Sequence, residues 1–272
     1  MTTVRRERVS EGIDLVTLDR PDRLNAMDTA LIEELHATLD AIAIDPSCRV
    51  VILTGAGRGF CAGLDLGNPA VSPLAAGAGR TQAGMHTQQM IASLVPKLRG
   101  LRRPVIAAVN GAAAGGGLAL ALASDIRIGG TSCRFNVAFV RIGLSGCDIG
   151  VSWLLPRVIG SGRAFELLLT GRMVESDEAD RIGLVNRVVP DDELIDAALE
   201  TARSIVANSP FGVWMTKEVM WSQLEIPSLQ AGIDLENRTQ ILASTTGEMQ
   251  EAVAAFFEGR PARWTDDEES AR

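Results

Sequence analysis

The stretch NGAAAGGGLALALASD, residues 110–125, sets three glycines directly before an apolar run and holds one ionisable side chain, Asp125, at its end. A second glycine turn, FCAGLDL at 60–66, has the same setting, since each follows a short apolar segment that reads as a buried strand. Small residues let the main chain approach a ligand closely, and unbonded N–H groups at a helix N-terminus attract developing negative charge. Two such turns at neighbouring strand ends can converge on one carbonyl oxygen and form an oxyanion hole. They supply no group that could move a proton.

Two competing motifs fail on spacing. In TGAGRGF, 54–60, Gly55 and Gly57 fit a dinucleotide-binding turn, but Phe60 occupies the place of the third glycine. In GLSG, 143–146, Cys147 stands where a nucleophile elbow needs its last glycine, and neither His36 nor His86 has a claim to be the base, so Ser145 reads as a turn residue. Cys48, Cys61, Cys133 and Cys147 make no C-x-x-C pair and have two histidines for company. Reduced, mostly buried thiols are expected, with no metal ligands.

The elements that must position the turns alternate between strand and helix. Residues 13–18 alternate as a strand, RPDRLNAMD is a proline-started loop, and Asp28 is placed to cap a helix carrying Leu31, Ile32, Leu35, Leu39 and Ile42. CRVVILTG then reads as a buried strand. The alternation recurs as a helix at 85–99, a strand at 104–111, the glycine-led helix at 115–123 and the strand DIRIGG. RAFELLLTG is a helix ended by Gly171, and SDEADRIGLVNRVV a capped helix leading to a strand. Beyond Pro190 only helices are expected, at 191–207, 210–222, 228–243 and from 249 to 258. This divides the chain into a sheet-bearing core, 1–190, a helical layer, 191–264, and a disordered acidic tail, 265–272. The Gly-, Ala-, Pro- and Ser-rich stretch 67–84 reads as a mobile loop beside the site. No sequence repeat is visible.

A chain of 272 residues with a net charge of −8 fits one main core with a smaller appendage and argues against nucleic acid as a partner. No apolar run reaches the roughly 18–20 residues of a membrane span. The charged N-terminus has no apolar segment behind it, so a cytoplasmic location without a signal peptide is expected.

Six segments in order resemble the crotonases, the enoyl-CoA hydratase/isomerase superfamily: LDRPDRLNAM, VVILTGAGRGFCAGLDL, RRPVIAAVNGAAAGGGLALALASDIRI, GVSWLLPRVIG, ELLLTGRMVESDEADRIGLVNRVVP and FFEGRPARW. The resemblance covers about residues 4–264. It implies an α/β fold, a crotonase-like spiral of ββα units with a C-terminal helical layer that packs on a neighbouring subunit, in trimers or a dimer of trimers. It also implies an acyl-CoA thioester as substrate, with coenzyme A arriving as part of it and no other cofactor. Carried over by motif, the two oxyanion-hole amides fall on Ala62 and Gly116. The CoA and acyl pocket falls on Arg23, Ala26, Gly63, Leu64, Asp65, Leu66, Gly115 and Phe139. Lys217 is open between a CoA-phosphate contact across a subunit boundary and an ordinary surface lysine.

The chain departs from the family at its acids. Hydratases of this family use two glutamates, and the corresponding positions here are Ala119 and Phe139, neither of which moves a proton. Asp148, in GLSGCDIGVSWLLPR, is the nearby acid, at a position where dienoyl-CoA isomerases and a chlorobenzoyl-CoA dehalogenase have a functional aspartate. It reads either as a general acid, base or nucleophile or as the cap of the following helix. Asp125 reads as structural, and Glu166 as a solvated or inter-subunit partner. Three readings follow. One is an acyl-CoA enzyme of the hydratase family with an atypical acid set. Another is a dienoyl-CoA-isomerase-like enzyme, or another thioester isomerase or hydrolase, using Asp148. The third is a non-catalytic acyl-CoA-binding or assembly protein.

Overall fold

The chain begins with a strand that its composition hides. Val4–Ser10 (β1) carries three arginines and a glutamate, and pairs antiparallel with Ile13–Leu18 (β2). Arg6 and Arg8 hold Asp14, which is 1% exposed, and reach on to Asp45. These partners compensate a carboxylate that burial would otherwise penalise. The computed structural model describes residues 2–264, so the acidic tail expected at 265–272 lies outside the described residues. The next element is Thr29–Ile44 (α1), capped as expected by Asp28 Oδ1, which accepts from the Leu31 amide at 3.0 Å. It buries Leu31, Ile32, Leu35, Leu39 and Ile42, the stripe that the helical spacing predicts.

From there the chain winds in turns of strand, strand and helix. Val50–Gly55 (β3) and Gly59–Cys61 (β4) lead to Arg80–Ala92 (α2) and Leu94–Arg99 (α3). Val105–Val109 (β5) and Ala112–Ala114 (β6) lead to Gly116–Ala123 (α4). Ile126–Gly130 (β7) and Arg134–Asn136 (β8) lead to Val151–Ile159 (α5) and Ser161–Thr170 (α6), after which Val174–Glu175 (β9), Ser176–Arg181 (α7) and Arg187–Val189 (β10) close the sheets. The first strands of each turn join a six-stranded sheet in the order β1-β2-β3-β5-β7-β10, and the second strands a four-stranded one, β4-β6-β8-β9. Apart from β1–β2 and β8–β9, neighbours run parallel. This is the ββα spiral that the resemblance implies. Its period escapes the sequence because β4, β6 and β8 are three residues each, too short to show alternation.

Two segments differ from the sequence reading. The stretch 67–84 is partly regular: residues 73–75 form a 3-10 turn and α2 starts at Arg80. The Ser72 hydroxyl accepts from Leu74, and the Ser72 amide donates to Thr87 on α2, which ties the segment down. Leu194–Val206 (α8), the first helix of the expected C-terminal layer, packs on the main sheet. Its Leu194, Ala198 and Ala202 share a core with Ile13, Val50, Ile52, Ile106, Ala108 and Ile128. Pro210–Gln223 (α9), Leu229–Ser244 (α10) and Gly247–Glu258 (α11) follow. Among the described residues, no helix is long and apolar enough to cross a membrane.

Candidate active site

The spiral places the ends of β4 and β6 side by side, and the two glycine turns leave from those ends. Contact there is at backbone distance. A Cβ on Gly117 would lie 2.0 Å from the Cys61 carbonyl oxygen, and one on Gly63, whose φ is +92°, would lie 2.8 Å from the Ala114 carbonyl and 3.5 Å from the Gly116 nitrogen. Glycine is required at both positions because no side chain fits between the strands. Gly116 is the first residue of α4, so its N–H has no acceptor within the helix.

The amide left unspent in the second turn is that of Leu64, not Ala62. The Ala62 amide donates to the Leu24 carbonyl at 2.9 Å and is spent on fold. Two residues on, Met27 and Leu64 form an isolated parallel bridge in which the Met27 amide donates to Gly63 and the Asp65 amide donates to Met27. The Leu64 N–H has no acceptor among the described residues. Which amide of the turn stays unspent depends on which ones the neighbouring segment consumes, and spacing alone does not show that. Cys61, behind the turn, is fully buried, and burial pushes its thiol up to about 12 against the opposing Gly63 amide.

The RPDRLNAM segment holds this turn in place. Leu24 and Asn25 both adopt left-handed backbone, with φ of 50° and 56°. Asn25 donates to the Ala56 and Gly59 carbonyls and accepts from the Arg20 amide. Arg20 pairs with Asp28 at 3.1 Å and Asp65 at 3.0 Å, and also donates to the Ala26 carbonyl. Burial alone would raise the Asp65 carboxyl; Arg20 and the Asn68 and Gly67 amides outweigh it and hold the group below its ordinary value. Asp65 is therefore a strut, while Leu66 is 65% exposed beside it. Arg23 is exposed and makes no side-chain hydrogen bond or ion pair among the described residues. Spacing gave no way to tell the strut, Arg20, from the free arginine, Arg23.

Opposite the amides lies the segment 138–150. The Phe139 ring packs on Gly115, with its edge 3.3 Å from where a Gly115 Cβ would be, and Ala119 is fully buried in the core. Asp148 is half-buried and does not cap α5: that helix starts from Gly150 with no side-chain cap. Instead Asp148 Oδ1 accepts from the Ile149 amide at 2.8 Å and from Gln88 Nε2 of α2, while Oδ2 has no donor among the described residues. Ile149 has φ of 37°, a strained conformation for a β-branched residue. Its Cδ1 sits 3.5 Å from where a Gly116 Cβ would be, which brings the Asp148 segment against Gly116. Ser145 accepts from the Cys147 amide and is a turn residue, as its context predicts. His36 contacts the Met90 carbonyl, His86 is half-buried on α2, and Glu166 pairs with Arg172 of its own chain at 2.6 Å.

Lys217 belongs elsewhere. Its ammonium lies 2.8 Å from Asp125 and donates to the Arg103 carbonyl at 2.9 Å, 8% exposed, so it is not a surface lysine. Burial lowers it from the ordinary lysine value, and Asp125 opposes that. Asp125 also accepts from Trp221 Nε1 and the Val105 amide, both at 2.7 Å, the structural role expected of it. A cavity of about 1000 Å³ opens nearby, lined by Ile126, Val213, Trp221 and Phe256 among others, and includes none of Leu64, Gly116 or Asp148. No group of three or more potential metal ligands occurs among the described residues.

The chain is similar to known proteins over most of its length. A sequence model of the family described as Enoyl-CoA hydratase/isomerase matches residues 8–267. The chain is 44% identical over 253 residues to a probable enoyl-CoA hydratase, EchA12, of Mycobacterium tuberculosis, covering 93% of this chain and 89% of that protein. It is 38% identical over 257 residues to the 1,2-epoxyphenylacetyl-CoA isomerase of Escherichia coli, covering 94% and 96%. Among solved structures, a probable enoyl-CoA hydratase/isomerase from Mycobacterium abscessus superposes with a TM-score of 0.91 at 38% identity, over 97% of this chain and 99% of that one. The ββα spiral, the paired glycine turns and these matches together show that the chain belongs to the enoyl-CoA hydratase/isomerase family, the crotonase superfamily.

Proposed function

We propose that this chain is an acyl-CoA enzyme that works through a thioester enolate and uses Asp148 to move a proton along the acyl chain, an isomerisation in place of simple hydration. The observation that carries this reading is the pair of unspent amides, Leu64 and Gly116, with the Asp148 segment packed on Gly116 through Ile149 and the Asp148 Oδ2 unspent. The amides hold the thioester oxygen. Asp148 Oδ2 takes a proton from the α-carbon, the electron pair moves onto the oxygen, and the carboxyl, after exchanging that proton with water, delivers one at the γ-carbon, leaving a conjugated thioester and a regenerated carboxylate. One oxyanion donor is worth about 3 kcal/mol of transition-state stabilisation. Syn hydration needs two carboxylates to orient and split one water, and Ala119 and Phe139 offer none.

In this reading Arg23, free and exposed, meets the phosphates of CoA. The exposed Leu229, Ile241, Phe256 and Phe257 of α10 and α11 favour assembly as a homotrimer, alone or as a dimer of trimers. The test is a panel of enoyl-, dienoyl- and aryl-CoA thioesters followed by mass spectrometry, with crotonyl-CoA as the hydration arm. Isomer without added water is expected, and Asp148→Asn slows it by about a hundredfold or more. Full activity in Asp148→Asn refutes the role of Asp148. Tight binding by calorimetry without turnover of any thioester favours the binding-protein reading.

A further inference from the structure

We infer that Gln88 of α2 is a positioning residue for the Asp148 carboxylate, fixing which of its oxygens exchanges protons; this rests on the proton-transfer reading above. Two donors reach Asp148, the Ile149 amide and Gln88 Nε2, and both fall on Oδ1. With Oδ1 saturated, the carboxylate cannot rotate without breaking two hydrogen bonds, so Oδ2 is held as the reactive oxygen. The two donors differ in kind. Ile149 is local, and its strained backbone already pins the residue beside Asp148. Gln88 comes from 60 residues away in sequence and connects the acid to α2.

That connection gives α2 a task its sequence does not suggest. The helix is polar, with Ile91 its one buried residue, so packing on its own account does little to fix it. It is anchored in its C-terminal half, by Thr87 accepting from the Ser72 amide and by the Met90 carbonyl meeting His36 of α1. Gln88 lies between those anchors. A side chain that is exposed and held by no packing would sample several rotamers, and its aim at Asp148 Oδ1 is what the anchors make reproducible. Misplacing a reacting group by about 1 Å costs up to about 100-fold in rate, which is the scale of effect a positioning hydrogen bond can carry.

The experiment is a double-mutant cycle on the full chain with Gln88→Met, Asp148→Asn and the pair. Deuterium uptake into 3-butenoyl-CoA in heavy water is read by mass spectrometry, and binding of the same thioester by calorimetry. Gln88→Met keeps the length of the side chain and removes the donor. It is expected to slow deuterium uptake about tenfold, the scale of one lost hydrogen bond, with Kd unchanged, and to add nothing in the Asp148→Asn background. A purely structural residue would instead change Kd or melting temperature, or add its full effect in that background, and either result overturns the inference. Unchanged uptake in Gln88→Met, with Asp148→Asn impaired, also overturns it while sparing the role of Asp148. If the unaltered protein takes up no deuterium, or Asp148→Asn is silent, the proton-transfer reading falls and takes the inference with it.

Discussion

The helix α4 has an aspartate near each end, and the two are treated in opposite ways. At its C-terminal end Asp125 spends both oxygens, one on Trp221 and the other on Lys217 and the Val105 amide, in an environment with little access to water. Beside its N-terminal end Asp148 spends one oxygen, on Gln88 and Ile149, and leaves the other open. The residue type is the same and the local sequence equally apolar. What differs is whether the surrounding fold satisfies the group, and a buried polar group that is fully satisfied stabilises while one left half-open is available for chemistry. The amides at the N-terminal end follow the same logic, since Gly115 donates to the Asn136 carbonyl of β8 while Gly116, which the strand does not reach, stays unspent.

The comparison breaks most visibly at the C-terminal end. Lys217→Met removes the cation from a buried pair and strands Asp125, at a cost of about 3–5 kcal/mol; the melting temperature measured by calorimetry should fall, with the activity of the folded fraction retained. Replacing the pair together, Lys217→Met with Asp125→Leu, should recover much of that loss, because no uncompensated charge is left. Asp148→Asn should do the reverse, losing turnover with the melting temperature unmoved. A large stability loss in Asp148→Asn would erase the distinction between the two acids.

Gly117→Ala tests the backbone side of the same helix. Its methyl meets the Cys61 carbonyl, so β4 and α4 must separate, and overpacking of this kind costs about 1–3 kcal/mol. Because the Leu64 and Gly116 amides move apart with it, activity should drop further than stability, measured as turnover per folded molecule. The smallest effect belongs to Asp45. The Ser47 hydroxyl, against the cost of burial and with help from Arg6, lowers its carboxyl to about 2 from an ordinary 3.8. A depressed carboxyl contributes stability above its ordinary value and loses it as pH falls through the folded value. The gap in melting temperature between the native chain and Asp45→Asn should therefore be full near neutral pH and close as pH falls toward 2.

Some of this was legible in the chain itself. The amphipathic spacing from Leu31 to Ile42, the Asp28 cap and the helices after Pro210 are local properties, and they formed where the periodicity put them. The glycine turns announced a backbone site because only glycine permits such close approach, and the absence of carboxylates at Ala119 and Phe139 is a fact of composition. β1 was hidden because its charged residues are those of an edge strand, paired to Asp14 on the neighbouring strand and to Asp45 beyond α1.

What tertiary structure alone decided is which groups remain free. Ala62 and Leu64 look equivalent in FCAGLDL, and Arg20 and Arg23 in RPDR, until the Leu24 carbonyl takes one amide and Asp65 takes one guanidinium. Lys217 and Asp125 are 92 residues apart and Gln88 and Asp148 60 apart, pairings that no local pattern encodes. The sequence determined which residues can donate or accept. The fold determined which of them are already satisfied, because hydrogen bonding is a pairwise account that closes only when distant segments meet.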